Sequence, residues 1–224
     1  MEKVMKILQK IGGLAAIYMA IAHLIGIVIF LGVLDYLSIT DPVQKLMLNV
    51  QKQPVIFATN LVMYIFFGLA LITLSLALYD RLKSASPALM QVATAIGIIW
   101  AGSLIASGMV ANAGLTAIMP LYARDPAQAA LTWQGIEAVT NGLGNANGEI
   151  LGGFWVLLVS LAALRDGGVP KGLNMLGLLV GIIGIVSITP GMTDSLVGVF
   201  GLGQIIWFIW LSIILLRKSP LKVA

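Results

Sequence analysis

Residues 11–34 read IGGLAAIYMAIAHLIGIVIFLGVL, 24 positions in which only His23 can carry a charge. Crossing a bilayer takes about 20 apolar residues at ~1.5 Å of rise each, so this run alone is long enough. The preceding MEKVMKILQK, with AIA at Ala20–Ala22, imitates a signal peptide. A cleaved signal carries an apolar stretch of only about 7–15 residues, so the run reads as an uncleaved first transmembrane helix.

The same pattern recurs along the chain. Of 224 residues, 59% are hydrophobic and 10% charged, against about 25% charged in globular proteins. Such a chain in water would expose more apolar surface than its charges could mask. Uncharged runs lie between Lys52 and Asp80, Lys83 and Arg124, Lys171 and Asp194, and Asp194 and Arg217. One more ends at Arg165. The expected fold is an all-α polytopic transmembrane bundle, a single domain over 1–224. Its six helices are expected at about 11–34, 54–79, 88–112, 145–164, 173–190 and 195–216.

The basic residues supply an independent check on that count. With the N-terminus in the cytoplasm, the inner segments hold Lys3, Lys6, Lys10, Arg81, Lys83, Arg165, Lys171, Arg217, Lys218 and Lys222. The outer segments hold only Lys45, Lys52 and Arg124. That is a positive-inside bias for a multi-pass protein with both termini cytoplasmic, and an odd number of spans would destroy it. The net charge of +4 is therefore read as topology, and no nucleic-acid partner is expected.

Two outer segments carry helix signals of their own. Asp41-Pro42 and Asp125-Pro126 each offer an N-cap followed by a first-turn proline. After the first pair, Val43, Leu46, Met47 and Val50 fall at helical spacing, which predicts a short interfacial helix that Pro54 separates from the second span. The second pair opens a longer segment between Asn112 and Asn145. Continued to Arg165, that helix would measure about 60 Å, so either it projects beyond the membrane or Gly142, Gly144 and Gly148 break it. SPALMQVATAIGII (86–99) and VPKGLNMLGLLVGII (169–183) echo each other faintly, as a duplicated two-helix unit would.

Small residues at four-residue spacing (Gly97 and Ala101; Gly144, Gly148 and Gly152; Gly177 and Gly181) predict close helix contacts within the bundle. Gln134, Glu137, Asn141, Asn145 and Glu149 share one face if their segment is helical. The first two read as a solvated face. Glu149 lies roughly 24 Å from the Arg165 edge, so its carboxylate must face a cavity or a partner. His23 falls at mid-depth, level with Gln204 and below Asn60, with Tyr64 and Ser103 between. It reads as a hydrogen-bonded packing residue or as part of a pocket formed with those polar groups. Trp100, Trp155 and Trp207 also fall at mid-depth, as an aromatic wall or as packing residues.

One histidine and no cysteine exclude two-sided haem ligation and thiolate metal sites. No metal or cofactor is expected. The spans hold no lysine for a Schiff base, and no HExxH, Walker A or GxSxG motif occurs.

IGGLAAIYMAIAHLIG at 11–26, ALYDRLK at 77–83 and VPKGLNMLGLLVGIIG at 169–184 resemble a family of small prokaryotic six-helix membrane proteins classed as a domain of unknown function. The resemblance implies an inner membrane and transfers no catalytic residue. The leading expectation is a protein that binds, and in one version transports, a small or lipid-like molecule in an outward-facing pocket. The pocket would be lined by His23, Asn60, Tyr64, Trp100, Ser103, Asn145, Glu149, Trp155 and Gln204. The alternatives are a lipid-modifying enzyme with Glu149 or His23 as acid/base, and an accessory subunit packing on a membrane partner or a second copy.

Overall fold

The computed structural model describes residues 2–144 and 148–217, and among them all regular structure is helical. Helix α1 (Glu2–Ile27) runs into a π turn at Val28–Val33, and a 3-10 turn follows at Tyr36–Ser38. Next come α2 (Pro42–Gln51) and α3 (Gln53–Asn60), then a second π turn at Leu61–Phe66 that leads into α4 (Phe67–Leu82). The rest of the chain forms α5 (Pro87–Tyr122), α6 (Pro126–Leu143), α7 (Ile150–Asp166), α8 (Lys171–Val186) and α9 (Thr193–Arg217).

Among the described residues, four helices are long and apolar enough to cross a membrane: Lys6–Val33, Gln53–Leu82, Pro87–Tyr122 and Ser195–Arg217. Large apolar side chains stand open on their surfaces, among them Leu14 (58% exposed), Ile99 (60%) and Ile206 (57%). An apolar surface of that extent suits lipid and not water.

Both Asp-Pro pairs start helices as the sequence predicts. The Asp41 carboxylate accepts from the Gln44 backbone N–H at 2.8 Å, and that of Asp125 from Gln128 at 3.0 Å. Lys52 alone separates α2 from α3, and Pro54 opens the new helix.

Four boundaries differ from the sequence reading by more than three residues, the first being the helix expected from 11, which already starts at Glu2. The helix expected to end at 112 continues to Tyr122, because α6 folds back along it and the side chain of Ile136 fills the space over Gly114. The helix expected from 145 starts at Ile150. Gly148 takes φ +129°, a conformation open to glycine but not to residues with a Cβ, and this breaks the chain between α6 and α7. The polar face expected to continue from Gln134 through Glu149 is therefore interrupted. The helix expected to reach 190 ends at Val186, where Ser187 turns its hydroxyl back to the Gly184 carbonyl at 2.7 Å.

Helix α1 packs on α4 and α9, α5 on α4 and α7, and α8 on α7 and α9, so these helices close into a ring. Rings fill its interior: Trp100–Trp155 centroids lie 5.9 Å apart, Trp155–Trp207 5.7 Å and Trp207–Phe208 5.5 Å. The tryptophans are thus packing residues of the core, and Trp155 and Trp207 have almost no exposed surface.

Glycines allow the close approach. A Cβ on Gly97 would meet Trp155 Nε1 at 2.6 Å, and one on Gly152 would meet Trp100 Cζ2 at 2.8 Å. One on Gly181 would meet the Gly153 carbonyl at 2.9 Å. Between helices in lipid no hydrophobic drive operates, so this surface-to-surface fit supplies much of the cohesion.

A second apolar cluster caps one end of the ring. Leu46 of α2, Ile56 of α3, Leu115 and Ile118 of α5, and Ala129, Ala130 and Trp133 of α6 bury one another beside Leu34. Helix α2 is thus packed on α6, which its sequence pattern did not disclose.

Candidate functional site

Where the cap meets the ring, the break between α6 and α7 leaves space. A cavity of about 250 Å³ is lined by His23 and Ile27 of α1, Met63 and Tyr64 of the second π turn, and Phe67 of α4. Trp100 and Leu104 of α5, Gly144, Glu149, and Val197, Gly198, Gly201 and Leu202 of α9 complete it. The volume sits just below the ~300 Å³ at which small-molecule sites begin.

Each polar wall residue is held by local geometry. His23 lies one helical turn beyond Met19, and its Nδ1 meets the Met19 carbonyl at 3.1 Å. A carbonyl can only accept, so Nδ1 carries the proton, and in the neutral ring Nε2 is left as an acceptor. The imidazole stands edge-on to Phe67 at 5.0 Å. Glu149 occupies the N-cap position of α7, and its backbone N–H donates to Ser187 Oγ at 2.8 Å, which ties the start of α7 to the end of α8.

The Glu149 side chain caps nothing and retains some accessible surface, yet its Oε2 lies covered and has no hydrogen-bond partner among the described residues. A covered carboxylate oxygen without a partner is costly unless something else supplies the missing donor or charge.

Tyr64 stands on a π turn, a local irregularity that often marks functional positions in helices. Its side chain lies against two glycines. A Cβ on Gly108 would meet Tyr64 Cβ at 2.7 Å, and one on Gly144 would meet Tyr64 Cε1 at 3.2 Å.

Tyr64 and Gly144 also line a second cavity of about 300 Å³ under the cap, with Tyr36, Asn49, Asn60, Ser107, Glu137 and Thr140 around it. There the Tyr36 hydroxyl donates to Glu137 Oε1 at 3.1 Å and accepts from Asn49 Nδ2 at 3.3 Å. Burial pushes Tyr36 up to about 12, Asn49 works against the shift, and the neighbouring Glu137 carboxylate adds to it. Asn60 Nδ2 donates to Asn112 Oδ1 at 2.8 Å, and Asn112 Nδ2 to the Phe57 carbonyl at 3.3 Å, which pins α3 to α5.

Of the nine residues singled out in the sequence, the structure brings His23, Tyr64, Trp100 and Glu149 to one cavity and places Asn60 with Tyr64 in the other. Ser103 lines neither cavity, and its hydroxyl donates to the Leu143 carbonyl. Trp155 is sealed behind Trp100. Gln204 has the expected depth but is fully buried in α9 outside both cavities, its two amide atoms without partners. Asn145 lies outside the described residues.

Sequence reasoning missed Glu137, read as solvated, and Ser107, Asn49 and Tyr36. Gln134, from the same face, is exposed as expected. Glu137 sits one turn from Asn141 on α6, a signal that was available, but its partner Tyr36 is 101 positions away. Among the described residues, no three His, Asp or Glu side chains gather as metal ligands would.

A family model described as a domain of unknown function (DUF4386) matches residues 11–214. The chain belongs to that family. Membership in the DUF4386 family accounts for the resemblance carried by the three quoted stretches and brings no activity with it. No curated protein and no solved structure matches the chain significantly.

Proposed function

We propose that this member of the DUF4386 family is a six-span protein of a prokaryotic inner membrane, with both termini in the cytoplasm, that binds a small or lipid-like molecule. The six spans would be the members of the ring, α1, α3–α4, α5, α7, α8 and α9. Helices α7 and α8, with 17 and 16 residues, rise only about 25 Å. They pack between longer neighbours, where some local bilayer thinning accommodates a short span. Arg81 and Lys83 at the α4–α5 turn, with Arg165 and Lys171 at the α7–α8 turn, support this orientation, which makes the cap the outer end.

The observation that carries the binding reading is the covered, unpartnered Oε2 of Glu149 in a wall shared with His23, Tyr64 and Trp100. By the length of α7, Glu149 stands about 25 Å from the cytoplasmic end, close to the outer hydrocarbon boundary. An ionisable group held there without a structural partner is a functional group by default.

Native mass spectrometry of the protein extracted in mild detergent is the test. The wild type is expected to retain a bound species that Trp100→Ala and Tyr64→Ala lose while still folded. A wild type that carries no adduct, even after incubation with total lipid extract, refutes the proposal.

Transport is a second reading, favoured by the two cavities meeting at Tyr64 and Gly144, which makes the phenol ring a partition between them. For the accessory-subunit reading, Gly97, Gly152, Gly177 and Gly181 make contacts within the chain, so a partner would dock on other surfaces.

A further inference from the structure

The cavity beside Glu149 is not closed on all sides. Its α9 wall contains two glycines, Gly198 and Gly201, and a Cβ on either would meet no atom within 4 Å. Ile27 and Leu202 flank the same wall and are exposed at 37% and 58%. Lower down, α1 and α9 touch closely: a Cβ on Gly13 would meet Leu216 at 2.9 Å, and Gln9 Nε2 donates to the Leu215 carbonyl at 2.9 Å. The two helices therefore part towards the cap, and the gap between them is bordered by apolar side chains and bare glycine backbone. Such a mouth opens sideways, onto the surface that lipid covers in the proposed topology.

Inside the mouth the chemistry changes. The rings of Tyr64, Phe67 and Trp100 line the chamber, and Phe67 and Trp100 stand edge to face with centroids 6.2 Å apart. Among the described lining residues Glu149 is the one carboxylate, and no Lys or Arg balances it; His23 and Tyr64 are the other ionisable side chains there, and His23 Nδ1 is engaged with the Met19 carbonyl. Aromatic rings around a carboxylate, with no Lys or Arg among the described lining residues, make a setting that favours an organic ammonium group. The ring quadrupoles attract the cation, and the carboxylate supplies its counter-charge in a desolvated site. An anionic headgroup would face Glu149 without compensation, and a neutral one would leave a covered oxygen unpaired unless it happened to place a donor there.

We propose that this chamber takes the ammonium head of a cationic amphiphile, which enters sideways between α1 and α9 and leaves its hydrocarbon tail along Ile27, Gly198 and Leu202. This rests on the binding function proposed above and names its ligand class.

The test uses the full chain in nanodiscs of zwitterionic lipid. Decyltrimethylammonium and its uncharged carbon isostere, with carbon in place of nitrogen, are each titrated, and occupancy is read by native mass spectrometry. The cation is expected to bind about tenfold or more tightly than the isostere. Glu149→Gln should remove that preference, since a hydrogen-bonded or paired charge accounts for about one to two decades in affinity. Gly198→Leu, whose Cβ would meet no atom within 4 Å, should weaken the cation at least about tenfold without lowering the unfolding temperature. Should Glu149→Gln fail to fold, Gly198→Leu together with the cation-to-isostere ratio on the wild type still decides the matter.

Equal binding of cation and isostere, or a cation preference that survives Glu149→Gln, overturns the ammonium assignment and leaves the pocket standing. Undiminished binding by Gly198→Leu overturns the lateral route. Binding of neither amphiphile, with no other lipid adduct on the protein, sinks both this inference and the function on which it rests.

Discussion

Adding one methyl group at Gly153 should weaken the protein, whereas the same addition at Gly102 should strengthen it. A Cβ at Gly153 would lie 2.6 Å from Ile185 N, 2.8 Å from Gly181 O and 2.9 Å from Gly184 C. Normal carbon contacts begin near ~3.5 Å, so α7 and α8 would have to part by close to ~1 Å. All three obstacles are backbone, and none can rotate out of the way. Overpacking that side chains can absorb costs about 1–3 kcal/mol, and here the upper end applies. Replacing Gly by Ala in a helix interior returns up to ~1 kcal/mol, which leaves a net loss of about 2 kcal/mol.

At Gly102, exposed on α5, a Cβ meets nothing within 4 Å, so only the favourable term remains, about 0.5–1 kcal/mol. The two variants should therefore fall on opposite sides of the wild type, about 3 kcal/mol apart. Equilibrium unfolding in mixed micelles with rising SDS, followed by tryptophan fluorescence and far-UV circular dichroism, reads the difference. The displacement of α7 should also reach Glu149, whose backbone is tied to Ser187, so Gly153→Ala should bind ligand less well than its stability alone implies. Gly153→Ala as stable as the wild type, or Gly102→Ala destabilised alongside it, would refute the close-approach account of the α7–α8 contact.

Ser187→Ala removes the acceptor of the Glu149 N–H and should cost about 1 kcal/mol in the same unfolding assay; no change would mean that the α7 start is held by other contacts. Asn60→Leu alone strands the Asn112 Oδ1 and should cost about 1–3 kcal/mol, while the Asn60→Leu/Asn112→Leu pair should cost less than the sum of the singles; strict additivity would show that the two side chains do not interact. Tyr36 favours its neutral form in the folded state, so its stabilisation is complete below pH ~10 and is lost as pH rises towards about 12. With Glu137 and Lys45 its charged neighbours, stability should fall more steeply with pH above ~10 in the wild type than in Tyr36→Phe; parallel pH curves would show that the buried hydroxyl carries no such linkage.

Charge-free runs, Asp-Pro caps and glycine punctuation are local signals, and they determined where helices form and several of their starts. The starts of α2 and α6 are legible because an N-cap carboxylate and a first-turn proline act on backbone within one turn. The end of α5 was misread because the feature that matters there is the return of α6 along it, a contact between segments. Depth along a helix follows from counting residues, and by depth alone His23, Trp155 and Gln204 looked equivalent. What separates them is the rotation of each helix about its axis, set by the neighbours that the glycines admit.

Trp155 turns inward over Gly97, and Gln204 lies buried beside the same aromatic core, so neither reaches the cavity. Glu137 gains its place from Tyr36, far away in the chain. Sequence by itself therefore determined that this is a chain of apolar helices with an exceptional carboxylate at Glu149. Tertiary structure alone decided what that carboxylate faces, because a helix's rotation and neighbours are properties of the packed whole and leave no fixed spacing in any one segment.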